Sequence, residues 1–449
     1  MKDKLYTALA VLVVLAAQQS CIAQTLTGLY EKARDQDSQF RAAQSALAAA
    51  LEKRPQALAG LRPSVNLTAN NSRQSGQTSF DSAPFIDRNV QNWGWTLQLT
   101  QPLIRWSNWI AVELADAQIQ QAQIQFALAH NDLVLRISQA YLDVVVAKQG
   151  IGVAQSQLDA FNEQLASAQR GFQLGTGTVT DVHEAQAKQA LATSQKVAAL
   201  NDLQVKVAEL TRIVGETIDV TPVEIGEQTL PDDARTLTEW LGLSESDNAN
   251  VRLQQALLIE AQQLVRKNGA QHAPTLDLVA NQAVNFASGT MTSPADIANR
   301  VQSQQIGLQF NLPLYSGGAT ASAVREAVAL EEKARQDLLA AKRNAASQVR
   351  QTHAGVLNGL AQVEALKVAV LASQNAVASN KIGFKIGTRT NTDVLAAEQQ
   401  LYQTQRDLNK ARIDTAMQRL KLRASVGQLQ VADVQDLQTL MAPASAAAP

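Results

Sequence analysis

The side chains that could do chemistry in this chain of 449 residues are few and scattered. The four histidines, His130, His183, His272 and His353, show no metal-ligand spacing among themselves. There is no Gly-x-Ser-x-Gly elbow and no phosphate-cradling Gly-x-x-x-x-Gly-Lys-Ser/Thr loop. No catalytic residue, metal or cofactor is expected, so energy for any work must come from a partner. What does recur is a threonine followed three residues later by an aspartate: Thr178 with Asp181, and Thr390 with Asp393. Such a pair caps the start of a helix, because the hydroxyl and the carboxylate satisfy backbone N–H groups that have no partner within the helix. A carboxylate has two oxygens, so one can cap while the other faces a lumen. Arg389 stands just before the second pair, where the first has Gly177.

Both constellations belong to a longer repeat. "GFQLGTGTVTDV" (171–182) returns as "GFKIGTRTNTDV" (383–394), an offset of 212. "WTLQLTQPLI" from Trp95 aligns with "IGLQFNLPLY" from Ile306 at an offset of 211, and "RPSVNLTAN" aligns with "APTLDLVAN". Each copy therefore has the order strand, strand, long helix, glycine turn, long helix. The expected division is a signal peptide over 1–23, a first repeat over 24–220, a connector over 221–250, a second repeat over 251–427 and a tail over 428–449. Strands are expected near 63–75, 92–103, 274–287 and 303–314, and hairpin tips near 171–182 and 383–394.

Composition narrows the class. A net charge of −1 and the lack of a basic patch argue against nucleic acid. Lys2 and Lys4 followed by the apolar run Leu5–Ala17 and then Cys21-Ile22-Ala23 read as a secretory signal. The sole cysteine, Cys21, falls inside it, and Gln18 and Gln19 do not fit a lipid-attachment signal. No later segment has 18 consecutive apolar residues, which argues against a helical span and leaves strand-built spans open.

The strands alternate. Trp93, Trp95, Leu97 and Leu99 share one face, opposite Gly94, Thr96, Gln98 and Thr100; Ile306, Leu308, Phe310 and Leu312 oppose Gly307, Gln309 and Asn311. A soluble sheet with one buried face and a membrane barrel with apolar side chains toward lipid both fit this pattern. Four strands are too few to close a barrel, so a membrane reading needs copies to pool them: eight strands from two chains, twelve from three.

The helices are long. No proline lies between Pro102 and Pro222 or between Pro313 and Pro443. Leu133, Ile137, Ala140, Val144, Ala147, Ile151, Ala154, Leu158, Phe161, Leu165, Ala168 and Phe172 follow an unbroken 4-3 spacing, a coiled-coil signature. A helix from Ser107 to Arg170 would be about 95 Å long at 1.5 Å per residue. In the second copy one row is strong (Val349, Val356, Val363, Val370, Val377, Phe384). The other is small and polar (Ala345, Thr352, Gly359, Leu366, Ser373, Asn380), suited to close helix approach or to a wet lumen. Gly175 and Gly387 stand where the first helix of each hairpin would end in the left-handed conformation. "LGLSESD" (241–247) reads as a helix end and turn.

With these motifs in place, the chain resembles the TolC family of outer-membrane channel proteins. The resemblance runs from "LTGLYEKARDQDSQFRAA" to about Gly427. It is carried most by "GFKIGTRTNTDVLAAEQQLYQTQRDLNKARIDT" (383–415), with "HAPTLDL" and "FNLPLYSGG" in support. It implies a mainly α chain with a small β part: as a homotrimer, a 12-stranded outer-membrane barrel continued by a long periplasmic α-helical barrel. Residues near 221–250 and beyond 427 would form a collar. The implied partners are a periplasmic adaptor, an inner-membrane ABC or other export pump, and outer-membrane lipid. The implied role is an exit duct for type I protein secretion or drug efflux.

The resemblance also assigns residues. Asp181, Phe384 and Arg389 would hold the tunnel closed between neighbouring coils, with Phe384 in place of a frequent tyrosine. Asp393 would line the entrance as a carboxylate ring, while the usual second ring is replaced by Ala396. The tip residues Gly175, Gly177, Thr178, Gly387 and Thr390 would meet the adaptor. Trp93, Trp95, Leu97, Leu99, Leu308 and Phe310 would face lipid. Beside these assignments stand the simpler ones, Asp393 as a helix cap and Arg389 as a solvated turn residue. Beside the duct stand a periplasmic coiled-coil scaffold or adhesin, and an adaptor.

Overall fold

The computed structural model of the protein describes residues 26–81, 83–216, 218 and 235–439. The expected signal peptide, the first part of the connector (221–234) and the end of the tail (440–449) lie outside the described residues. Two compact units are present, residues 1–44, 125–252 and 341–449 in one and 45–124 and 253–340 in the other, so each draws on both copies of the repeat.

One unit is built on a four-stranded antiparallel sheet: β1 (Ser64–Thr78), β2 (Ile86–Ile104), β3 (Thr275–Ala287) and β4 (Asn299–Asn311), in that spatial order. Register decides its two faces, because residues directly opposite in an antiparallel pair point the same way. Leu67 pairs with Leu97 and Val65 with Leu99, and Leu99 pairs in turn with Ala280, which faces Ile306. Leu278 with Leu308 and Leu276 with Phe310 continue that face. These apolar positions of the four strands thus share one side, with Asn66, Thr68, Thr96, Gln98, Asn281, Gln305 and Gln309 on the other. At Gly94, on the polar side, an added Cβ would come within 2.8 Å of the Val284 carbonyl oxygen, so this crossing needs glycine. Arg105 fastens β2 to β3 through a two-pronged contact with Asp277, at 2.9 and 2.6 Å.

β1 and β2 are longer than alternation alone predicts, β3 lies where expected, and β4 starts earlier, at Asn299, and stops at Asn311, before Leu312 and Pro313, which has no N–H for the ladder. β1 runs to Thr78 and β2 begins at Ile86, because polar residues such as Gln74–Gln77 and Asp87–Asn89 continue the ladder without an apolar signature.

The helices are divided between the two units: the helical segments within 45–124 and 253–340 belong with the sheet, and the rest form the other unit. Short helices α1 (Leu26–Gln36) and α2 (Ser38–Leu51), followed by α3 (Lys53–Ala59), precede β1. After β2 comes α4 (Trp106–Gln173), which with α5 (Val179–Val214) makes the first hairpin. Next are α6 (Leu237–Asp247) and α7 (Ala249–Gly269). After β4, α8 (Ala319–Lys385) and α9 (Asn391–Ser425) make the second hairpin, and α10 (Val431–Thr439) follows. Residues 241–247 are helical to Asp247, where a turn was expected, because Thr236 and Glu239 cap α6 and Asn248 caps α7 at once. The main core joins Leu29 and Tyr30 of α1 to Leu133, Ile137 and Val144 of α4, Leu210 and Val214 of α5, and Met417 and Leu420 of α9.

The 4-3 row of α4 is largely buried from Leu133 to Ala168, and only its last member, Phe172, emerges. The small-residue row of α8 does what its composition suggests. At Gly359 an added Cβ would lie 2.4 Å from the Thr415 hydroxyl, so α8 and α9 approach closely there. Among the described residues α8 is the one helix long and apolar enough by composition to cross a membrane, and nearly all of its apolar stretch is unburied within the protomer. Its exposed apolar residues include Leu357, Val368 and Leu371.

Candidate functional sites at the hairpin tips and the sheet

The two hairpin tips are built the same way. In the first, the N–H groups of Thr176 and Gly177 donate to the Gly171 carbonyl at 2.9 and 3.0 Å; in the second, those of Thr388 and Arg389 donate to Gly383 at 2.9 and 3.2 Å. Gly175 and Gly387 take φ of 73° and 80°, the left-handed region open to glycine. The first glycine of the second motif is a sequence signal in its own right. A Cβ at Gly383 would meet Arg389 Cγ at 2.6 Å, so this glycine makes room for the arginine stem to fold back.

Both expected caps form. Asp181 Oδ2 accepts from the Thr178 N–H at 2.9 Å and hydroxyl at 2.7 Å, and Asp181 N–H donates back to the hydroxyl at 3.2 Å. Asp393 Oδ2 accepts from the Thr390 N–H and hydroxyl, both at 2.9 Å, with the same return bond at 3.2 Å. In each case Oδ1 has no hydrogen bond among the described residues and stays available. The Thr390 N–H, then its hydroxyl, then the Arg389 charge hold the Asp393 carboxyl below its ordinary value of 3.8.

Arg389 is exposed and makes no ion pair with Asp181 within the protomer; the carboxylate its charge reaches is Asp393. Phe384 is half-buried. The tips are tied together by contacts that the sequence did not advertise. The Thr392 hydroxyl donates to Glu184 at 2.5 Å, Lys188 to Gln399 at 2.8 Å, and Tyr402 to the Ser156 carbonyl at 3.2 Å. Phe161, Ala168, Ala185, Ala192 and Leu395 pack between them. Buried Glu398 pairs with Lys381, and buried Asn391 carries a side-chain N–H₂ without a partner in the protomer.

On the sheet, Trp93, Trp95, Leu97, Leu99, Leu308 and Phe310 share the apolar face. Leu308 and Phe310 are 66% and 64% exposed. Trp93 packs against Phe286 with ring centres 5.8 Å apart and planes tilted by 32°. Among the described residues no group of His, Cys, Asp and Glu could hold a metal ion.

Residues 29–216 and 240–428 each match the family model described as Outer membrane efflux protein. The chain belongs to that family. As an outer membrane efflux protein it is an outer-membrane exit channel that extends into the periplasm, and the scaffold and adaptor alternatives fall away. Among its relatives is the proteases secretion protein PrtF of Dickeya chrysanthemi, 29% identical over 427 residues, covering 93% of this chain and 91% of that one. Outer membrane protein TolC of Escherichia coli is 28% identical over 424 residues, covering 92% and 84%. The solved outer membrane protein VceC of Vibrio cholerae shares the fold with a TM-score of 0.75 at 20% identity, over 90% of this chain and 96% of that one.

Proposed function

We propose that three copies of this outer membrane efflux protein assemble into one duct, a 12-stranded barrel in lipid continued by the helical hairpins, serving type I protein secretion. The observation that carries this reading is the sheet. It is open, with β1 and β4 as unpaired edges, and its exposed face carries Val65, Leu67, Leu97, Ile306, Leu308 and Phe310. Unpaired backbone groups in lipid cost several kcal/mol each, so such a sheet must find further strands. Exposed Leu357, Val368 and Leu371 on α8 give the helices a matching surface for neighbouring copies.

The tips supply the entrance. Asp393, with one oxygen capping and one free, gives three copies a ring of carboxylates that favours cations. Arg389 of one protomer bridges to Asp181 of the next beside Phe384, and these latches hold the entrance shut. The turns at Gly175, Gly177 and Gly387, with Thr178 and Thr390, meet a periplasmic adaptor, and an inner-membrane ABC or other pump supplies the energy while the duct itself is passive. The relatives PrtF and AprF, both named for protease secretion, favour protein cargo over drugs. Reconstitution in planar bilayers tests the duct: a trimer-sized species should give discrete ion-conducting steps, and a protein that forms no trimer and passes no current contradicts it.

A further inference from the structure

We infer that residues 288–298, between β3 and β4, form a constriction across the channel's exit, with Arg88 as the positioning residue that holds it there. Arg88 lies near the start of β2, at the end of the sheet away from Ile104. It pairs with Gly76 of β1, and both belong to the polar face that carries Thr96 and Gln98. Its side chain is nonetheless buried, with the residue 5% exposed. What covers it is the β3–β4 segment. The guanidinium donates to the carbonyls of Thr290, Ser293 (2.8 Å) and Pro294 (2.7 Å), and Asp296 lies 3.9 Å away. Phe80, from the β1–β2 turn, supplies its ring 5.4 Å from the cation.

Independent contacts put the segment on the same side. The Met291 methyl sits 3.0 Å from where a Cβ of Gly76 would be, so a side chain there would push the loop off. Val90, also on the polar face, is buried. The segment is folded on itself, with the Thr290 N–H donating to Asp296 at 2.9 Å, and is tied to β2, where Ser288 exchanges hydrogen bonds with Gln91 at 2.9 and 2.8 Å.

If the apolar face meets lipid, as the proposed barrel requires, the segment lies inside the barrel. Three copies then narrow one mouth. The clasp is releasable, since opening exchanges carbonyl partners for lumenal water and leaves no group of the clasp unsatisfied. It therefore filters by size and yields to cargo pushed from within.

The test uses intact cells and single cysteines at Gln98, on the polar face, and Leu97, on the apolar face, probed from outside with small and polymer-linked membrane-impermeant maleimides. With Arg88 present, Gln98→Cys should react with the small reagent and only slowly with the large one. Arg88→Ala should raise the large-reagent rate at least about tenfold, since it removes all three carbonyl contacts and one charge-assisted hydrogen bond alone is worth about a factor of ten, with little change for the small one. Asp296→Ala, which loosens the loop and spares Arg88, should move the rate the same way and carries the test if Arg88→Ala fails to assemble. Large-reagent rates unchanged in an assembled variant overturn the constriction. Labelling of Leu97→Cys in place of Gln98→Cys overturns instead the facing of the sheet on which the inference rests.

Discussion

Lys381 of α8 reaches the carboxylate of Glu398 on α9 at 2.8 Å, and that glutamate is only 2% exposed. A buried carboxylate that loses its cation is worse off than an apolar residue in the same place. Lys381→Ala should therefore destabilise the second hairpin by about 1–3 kcal/mol, less than a fully buried pair because the lysine is partly open to water. Lys381→Leu with Glu398→Leu should recover most of that loss. A double-mutant cycle on chemical denaturation of the purified protein measures the coupling, and a value near zero contradicts it.

The sheet makes the second prediction. Leu97→Arg, on the apolar face, should cost about 2–4 kcal/mol if it meets the bilayer midplane and should reduce the assembled protein in the outer membrane. Gln98→Arg, one residue on and facing the other way, should assemble normally and shift ion selectivity. Equal assembly of the two variants would contradict the facing.

The features legible in advance were those with a period. Alternation in Trp93–Leu99 and Ile306–Phe310 gave the common apolar face, and the 4-3 row from Leu133 gave α4. The two Thr-x-x-Asp pairs are local chemistry, and both caps form as expected. What stayed hidden were polar residues whose partners lie far along the chain. Nothing about Arg88 in "IDRNVQ" announces carbonyl partners about 200 residues later, and nothing about Lys381 or Glu398 marks them as a pair. A glycine such as Gly383 shows its purpose only when the side chain that fills its space is visible.

The Asp393 cap predicts a pH dependence. Its folded value lies below the ordinary 3.8 because Thr390 donates to the carboxylate and Arg389 stands near. A carboxyl lowered on folding contributes stability that is fully present above its unfolded value and is lost as pH falls through its folded value. Protection of the 383–394 tip in hydrogen exchange should thus hold down to about pH 4 and decline below it. Asp393→Asn should remove that step. A tip whose protection is unchanged by the substitution at every pH contradicts the cap's role.

A trimeric duct held shut at its hairpin tips stands or falls on the single-channel conductance of the Arg389→Ser, Asp181→Ala double variant beside the unaltered protein. Each exposed pair contributes about 0.2–1 kcal/mol, so three of them make a latch weak enough for adaptor docking to release. The variant should still assemble as a trimer and conduct several-fold more than the parent. A correctly assembled variant with the parent's conductance would contradict it.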